Sequence, residues 1–260
     1  MKRLTALLAA LCLLLSFAFA EEEAEEVPEY LQMFRVYHGS RENPRIAITM
    51  DDCYEPEYVE KTNELFKQYG ITGTFFPLGL MLRPEDKEIW QGIIDSGSEI
   101  GTHGWDHGSI GKRDGWAILL TVGKCQQKLD EILGHHYQIQ CYRPPYGTLN
   151  DENGSISKAM EYLRKFGFQH SIHWDVSQTD PDIAVRNVQN GSILLYHARK
   201  KDYECLVKLI PELLEKGFEP VTVSELLGHA SVNITLNLYV HPQMEQKRRA
   251  VEVLCGCIGG

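Results

Sequence analysis

Two adjacent carboxylates, Asp51 and Asp52, follow the apolar run at residues 46–48 and are the first candidates for chemistry in this sequence. The run predicts a short buried strand, and catalytic groups in α/β folds collect at the carboxyl ends of such strands. Two neighbouring carboxylates repel each other unless a cation or a proton relieves the repulsion. The pair therefore indicates either a solvated Asp-Asp turn or a site that contains a positively charged partner.

Two histidines four residues apart, His103 and His107, are candidate metal ligands. Their imidazoles would share one face of a helix, but Gly101 and Gly104 disfavour a helix here, so we expect a loop. Two imidazoles and one carboxylate form the three-ligand set of a catalytic zinc site. The alternative is that they are two unrelated surface histidines.

Further candidates lie at the ends of other predicted strands. Arg143 opens a proline-rich turn that is rigid enough to aim the guanidinium at a carboxylate and to present the backbone N–H of Tyr146. An ordinary strand-ending turn is the alternative. His197 ends an apolar strand, where a structural histidine is the common case. Asp180, in a polar loop, could hydrogen-bond to His197 and raise its pKa towards use as a general acid, with Asp175 as the rival for that role.

These residues must be positioned by the elements around them, and the sequence predicts a regular alternation of strands and helices. Strands are predicted at residues 45–51, 72–77, 138–142, 170–176, 192–196 and 218–223. Helices are predicted at residues 57–69, 85–95, 116–133, 155–166 and 202–216. Such alternation is typical of βαβ units and a parallel sheet, and a barrel-like sheet would bring the candidate side chains to one face.

Length and charge limit the classes of protein that fit. The chain has 260 residues, which is enough for one sizeable domain with appendages, and we expect a monomer. Its formal net charge of -10 argues against nucleic-acid binding, which requires a basic surface, but it allows a neutral sugar polymer as substrate. Six cysteines follow residue 20, and their spacings leave the pairing open.

The first forty residues differ in composition from the rest of the chain. Residues 1–20 combine a basic start, an apolar core and an A-x-A-like site ending at Ala20, which predicts a signal peptide. We therefore expect a secreted or cell-surface protein without a stable membrane anchor. Residues 21–40 are predicted to form an acidic linker.

The candidate residues occur in an ordered set of motifs that resembles one family. The motifs are Thr49-Met-Asp-Asp52, His103-Gly-Trp-Asp-His107, Arg143-Pro-Pro-Tyr146, the Asp180 loop and Leu195-Tyr-His197. They resemble the motifs of the NodB-like polysaccharide deacetylases, carbohydrate esterase family 4. The resemblance implies an α/β fold, a distorted and partly open (β/α)7–8 barrel, with a catalytic domain at residues 41–227. It also implies a divalent metal, usually zinc, with cobalt or another transition metal as alternatives.

The resemblance implies a role for each matched residue. The implied metal ligands are Asp52, His103 and His107. The implied catalytic groups are Asp51 as general base, Arg143 as its orienting partner, the Tyr146 N–H as oxyanion donor, His197 as general acid and Asp180 as the residue that tunes His197. Leu195 would line the acetyl-methyl pocket, and Tyr146 also belongs to the substrate site.

Two positions depart from the family pattern. Cys53 stands where the family usually has glycine, and it could crowd the loop or bind the metal adventitiously. Pro181 stands where the family usually has tryptophan, which removes an aromatic wall of the substrate groove. We expect a metal-dependent hydrolase acting on C–N bonds other than peptide bonds, which removes N-acetyl or O-acetyl groups from a cell-wall glycan. The alternative is a glycan-binding protein that keeps the fold but has impaired catalysis.

Residues 228–260 resemble the C-terminal segment of the phage-type tyrosine recombinases (integrases). His229 would match a catalytic histidine of that family, and Tyr239 its nucleophile. The arginine-bearing motifs of the family are missing upstream, so we expect no recombination and interpret the tail as a gene-fusion remnant. A coincidental helical extension is the alternative.

Overall fold

The computed structural model describes residues 34–228, which form an alternation of strands and helices. The strands in this range are β1 (Phe34–Val36), β2 (Arg45–Asp52), β3 (Thr74–Pro77), β4 (Glu99–Ile100), β5 (His170–Ile172), β6 (Ile193–His197) and β7 (Glu219–Val221). The α-helices are α1 (Pro56–Tyr69), α2 (Lys87–Asp95), α3 (Gly115–Leu133), α4 (Ser157–Phe166), α5 (Pro181–Asn187), α6 (Lys200–Glu215) and α7 (Val223–Leu226).

Strand β2 is the centre of the sheet, because it pairs in parallel with β3, β6 and β7. Only its first residue, Arg45, is exposed, and the other seven are buried. A strand covered on both faces of a parallel sheet is expected to be apolar along its length. Two carboxylates at the end of such a strand are therefore exceptional. The register pairs Asp51 with His197 of β6 and Asp52 with Pro77 of β3.

The sheet closes on itself through three single-residue parallel bridges. Thr102, just after β4, pairs with Tyr142, and Tyr142 pairs with Ser171 of β5. Val176, which follows β5, pairs with Leu194 of β6 and so completes the circuit back to β2. Because these links are only one residue long, the barrel is distorted. The fold class predicted from the alternation of strands and helices is confirmed.

The helices cover the barrel with their apolar faces. In α1 the buried side chains include Val59, Leu65 and Phe66, spaced so that they share one face of the helix. The ring of Phe66 lies 6.0 Å from that of Phe75 in β3. Burying such a side chain contributes roughly 1.5–3 kcal/mol. This packing fixes the helix against the strand whose end leads into the candidate site.

The predicted strand at residues 138–142 is wrong, because only Tyr142 forms a bridge there. The side chain of Gln126 on α3 takes the place of a neighbouring strand. Its amide donates to the Tyr137 carbonyl at 2.5 Å, and its carbonyl accepts from the Ile139 N–H at 3.1 Å. The backbone groups are satisfied without a ladder, so a β-rich composition does not produce a strand.

Both ends of the described range lie near predicted domain limits. Strand β1 pairs with β5 and lies within residues 21–40, the range that the sequence predicts as an acidic linker. At the other end, α7 begins with a capping box formed by Thr222 and Glu225. The signal-peptide prediction for residues 1–20 lies outside the described residues. So does nearly all of the integrase-like tail, since only its first residue is described, and both stay predictions.

Four cysteines fall within the described range, and none of them is bonded to another. Cys53, Cys125, Cys141 and Cys205 are free and buried. Burial raises the pKa of each of these thiols, that of Cys125 to about 12. Among residues 34–228 there is also no helix with both the length and the apolar character needed to cross a bilayer.

Glycine is required at the end of α3 but not inside α2. Gly134 caps α3 with a φ of 79°, whereas an added Cβ at Gly92 in α2 would have open space. We expect Gly134→Ala to lower the free energy of unfolding by about 1 kcal/mol, because a left-handed alanine is strained. Gly92→Ala, the matched control, should raise it by about 0.5 kcal/mol because alanine favours the helix. Urea unfolding measures both, and an equal change in both variants would contradict this account.

Candidate active site

Three potential metal ligands meet at the carboxyl ends of the central strands. Asp52 ends β2, and His103 and His107 lie in the loop that follows β4. Oδ1 of Asp52 is 3.7 Å from Nε2 of His103 and 3.6 Å from Nε2 of His107. One ligand atom from each residue lies within 4.8 Å of the others. The structure therefore brings together the three residues that the sequence predicted as ligands.

The donor atoms of this group suit a divalent metal. Oδ1 of Asp52 is buried and has no hydrogen-bond partner among the described residues, which is costly unless a cation satisfies it. Nδ1 of His103 lies 2.9 Å from the carbonyl oxygen of Arg143, so it carries the proton and leaves the Nε2 lone pair facing Asp52. Burial lowers the pKa of His103 and outweighs the nearby aspartates, which favours the neutral, ligating form.

An unusual turn separates the two adjacent carboxylates. Asp52 and Cys53 both have left-handed backbone conformations, with φ of 63° and 57°. The Cys53 N–H donates to the carbonyl of Asp51 at 2.7 Å, which closes the turn. Such residues cost roughly 1–2 kcal/mol each and collect at functional sites. The thiol of Cys53 is buried beneath the site and is not one of the three grouped ligands.

Asp51 is held by a completely buried arginine. Nη1 of Arg143 donates to Oδ1 of Asp51 at 2.8 Å and to the hydroxyl of Thr49 at 2.6 Å. The remaining guanidinium nitrogens donate to the carbonyls of Ile172 and His173 at 3.3 and 3.1 Å. Every nitrogen of this buried cation therefore has a partner, as a buried charge requires. The other oxygen of Asp51, Oδ2, lies 3.9 Å from Nε2 of the candidate ligand His103.

Tyr146 occupies the turn that follows Arg143. Its φ of 61° is left-handed, and its side chain is 68% exposed. The ring packs edge-to-face on His107, with ring centroids 4.4 Å apart. The hydrogen bonds of the turn are donated by the N–H groups of Gly147 and Thr148 rather than by that of Tyr146. The strained turn thus brings the ring of Tyr146 onto His107, one of the three candidate metal ligands.

His197, at the end of β6, approaches the site from the other side of β2. Its Nε2 lies 3.9 Å from Oδ2 of Asp52. Leu195 is two residues earlier on the same strand, so both side chains point to one face. Leu195 and His197 are partly buried. Leu194, which precedes Leu195, and Tyr196, which lies between Leu195 and His197, are fully buried. The predicted pocket residue and the predicted acid therefore share the accessible face.

The structure does not bring Asp180 to His197. Asp180 is exposed and caps α5, where its side chain accepts from the Ile183 N–H at 3.1 Å. The helix was missed by the sequence analysis, although Asp followed by Pro is a common helix start. Asp175 is also engaged elsewhere, since it accepts from Arg41 and from the N–H of Ile193.

The carboxylate beside His197 belongs to Asp202, which the sequence analysis missed. Oδ2 of Asp202 is 3.3 Å from Nδ1 of His197. This hydrogen bond is the main reason why the pKa of His197 is raised. An aspartate in the first turn of the helix that follows β6 was the available signal, because that turn must lie next to the strand end.

Known proteins resemble this chain in sequence and in fold. The family model described as polysaccharide deacetylase matches residues 38–164. A peptidoglycan-N-acetylglucosamine deacetylase of Bacillus cereus is 29% identical over 71% of this chain and 88% of its own length. The uncharacterised protein YlxY of Bacillus subtilis is 24% identical over 76% of this chain. Our chain spans 62% of the length of YlxY.

A solved structure shows the same fold. It is a family 4 carbohydrate esterase pseudoenzyme from Bacillus anthracis, with a TM-score of 0.65 and 21% identity. The match covers 75% of this chain and 69% of the other. The chain is therefore similar to the polysaccharide deacetylases over residues 38–164, and it has the fold of the family 4 carbohydrate esterases.

Proposed function

We propose that this protein is a metal-dependent hydrolase that removes acetyl groups from a cell-wall glycan. The observation that carries the proposal is the meeting of three ligands, a clamped carboxylate and a histidine at one end of the barrel. The partnerless buried oxygen of Asp52 supports metal binding most directly. The Bacillus cereus relative, which acts on N-acetylglucosamine of peptidoglycan by its name, supports an acetylated glycan as substrate.

Asp52, His103 and His107 would hold the metal, with zinc as the first choice for two imidazoles and a carboxylate. When bound, such a metal supplies Lewis acidity towards the acetyl carbonyl and lowers the pKa of water. Asp51 is the proposed general base. Its clamp by Arg143 fixes one oxygen and leaves the other to accept a proton from the attacking water.

Tyr146, His197 and Leu195 would contact the substrate during the reaction. The Tyr146 N–H would donate to the acetyl oxygen as negative charge develops there, a contribution of about 3 kcal/mol for one such donor. His197 would give a proton to the departing nitrogen of an amide, or to the oxygen of an ester. Leu195 would contact the acetyl methyl group. The products are acetate and a de-acetylated sugar.

A glycan-binding protein without useful catalysis is the second candidate. It is favoured by one specific observation, namely that a fold relative is a pseudoenzyme. Cys53 and Pro181 are the departures that would account for it, since Pro181, the first residue of α5, stands where the family resemblance implies an aromatic residue. The intact group of Asp51, Asp52 and the three histidines favours the enzyme.

Several broader features belong to the same proposal. The signal-peptide pattern at residues 1–20 supports export of the protein to the cell surface or beyond, where a wall glycan is accessible. The negative net charge supports a glycan rather than a nucleic acid as the partner. The monomeric state and the fusion origin of residues 228–260 remain predictions from the sequence.

The proposal predicts metal-dependent release of acetate. We expect the full chain to release acetate from N-acetylated chito-oligosaccharides or from peptidoglycan, to lose this activity with a chelator, and to regain it with Zn²⁺ or Co²⁺. An enzymatic acetate assay measures all three conditions. If neither glycans nor acetyl esters yield acetate in the presence of metal, the hydrolase is refuted, and glycan binding measured by calorimetry would then support the second candidate.

The two adjacent aspartates are predicted to have separable roles. Asp52→Ala should lose bound metal, because two imidazoles alone bind zinc weakly. Asp51→Asn should keep the metal but lose about 100-fold or more in rate, because an amide cannot accept the proton. Metal content by mass spectrometry, circular dichroism and acetate release distinguish the two variants, with exposed Asp182→Asn as control. Full metal content in folded Asp52→Ala would refute the ligand assignment.

A further inference from the structure

Asp202 is a completely buried carboxylate in the first turn of α6, five residues after His197. Its Oδ2 accepts from the backbone N–H of His197 at 2.9 Å and from Nε of Arg199 at 2.9 Å. The same oxygen lies 3.3 Å from Nδ1 of His197. One oxygen atom thus binds both the main chain and the ring of the same histidine.

Helix capping alone does not explain this arrangement. An acidic side chain in a first helical turn contributes about 0.3–1 kcal/mol while exposed to solvent, and needs no burial. Burying a carboxylate costs several kcal/mol unless its partners compensate. The carboxylate of Asp202 accepts no hydrogen bond from the first N–H groups of α6. It accepts one from the backbone N–H of His197 in β6 instead. Its other oxygen has no hydrogen-bond partner among the described residues, so the burial serves the His197 contact.

The contact determines which nitrogen of His197 faces the site. Because Nδ1 lies 3.3 Å from Oδ2 of Asp202, the other ring nitrogen, Nε2, is directed towards Asp52, 3.9 Å from its Oδ2. A proton destined for a leaving group must be carried by Nε2, on the open side of the ring. Arg199 holds the carboxylate from the solvent side, with half of its own side chain exposed. A carboxylate behind an imidazole is a known way to fix both its tautomer and its orientation.

We infer that Asp202 is the positioning residue for His197, the role for which the sequence pointed to Asp180. Its carboxylate holds the imidazole so that Nε2 can deliver a proton to the leaving group, and Arg199 fixes the carboxylate. The inference rests on the proposed deacetylase function. It predicts that loss of Asp202 harms only reactions whose leaving group needs a proton.

Two substrates with different leaving groups test this inference. The acetamide of an N-acetylated chito-oligosaccharide needs protonation of its amine, whereas 4-nitrophenyl acetate releases a phenolate that needs none. For Asp202→Asn we expect kcat on the glycan to fall by about 100-fold, the order of a general acid's contribution, with KM and metal content nearly unchanged. On the aryl ester kcat should change little. Asp182→Asn, an exposed aspartate on α5, is the matched control and should leave both rates unchanged.

Arg199→Gln is a second variant for the case that Asp202→Asn does not fold. It removes only the outer contact of the carboxylate, so a smaller loss confined to the glycan is expected. Equal losses on both substrates in either folded variant would overturn the inference and make Asp202 a purely structural residue. A glycan-specific loss in Asp180→Asn instead would return the role to Asp180. A wild-type protein that acts on neither substrate would refute the proposed function itself.

Discussion

The buried ion pair between Arg143 and Asp51 is the interaction on which the rest of the site depends. Arg143 is completely buried, and its guanidinium donates four hydrogen bonds, two to side chains of β2 and two to the carbonyls of Ile172 and His173 at the end of β5. Breaking one partner of such a pair leaves an uncompensated buried charge, at a cost of about 3–5 kcal/mol. Its backbone carbonyl also orients the ring of His103. A single residue therefore sets the position of the proposed base and the tautomer of a proposed metal ligand.

The order of strands and helices could be predicted because local patterns determine it. The apolar run of β2 and the glycines that end α1 and α3 are signals carried by neighbouring residues. The failed strand at residues 138–142 depends on the side chain of Gln126 in the preceding helix, and the hydrophobic pattern of the segment itself does not reveal this contact. Helix α5 differs, because its start at Asp180 and Pro181 is a local signal, although the helix has only seven residues.

The candidate site also contains residues that the sequence could predict and one that it could not. Three of the residues end strands, two follow β4, and two follow the single-residue bridge at Tyr142, so the parallel topology is sufficient to collect them. In that order they are Asp51, Asp52 and His197, then His103 and His107, then Arg143 and Tyr146. Asp175 and Asp180 precede His197 by 22 and 17 residues, whereas Asp202 follows it by five residues, in the first turn of α6. Separation along the chain does not identify the partner of His197, because contacts in the folded chain decide which carboxylate reaches the imidazole. Each of the three has its own competing donors, and only the packing of α6 against β6 decides between them.

The four buried cysteines have a consequence for the environment in which this domain can persist. Thiol–disulfide exchange and oxidation proceed through the thiolate, and the raised pKa of each group keeps that form scarce at neutral pH. Burial also denies oxidants and foreign thiols access to the sulfur atoms. The described domain therefore contains no disulfide that an oxidative folding catalyst would have to form. The buried thiols of its native state resist cross-linking in oxidising and in reducing surroundings.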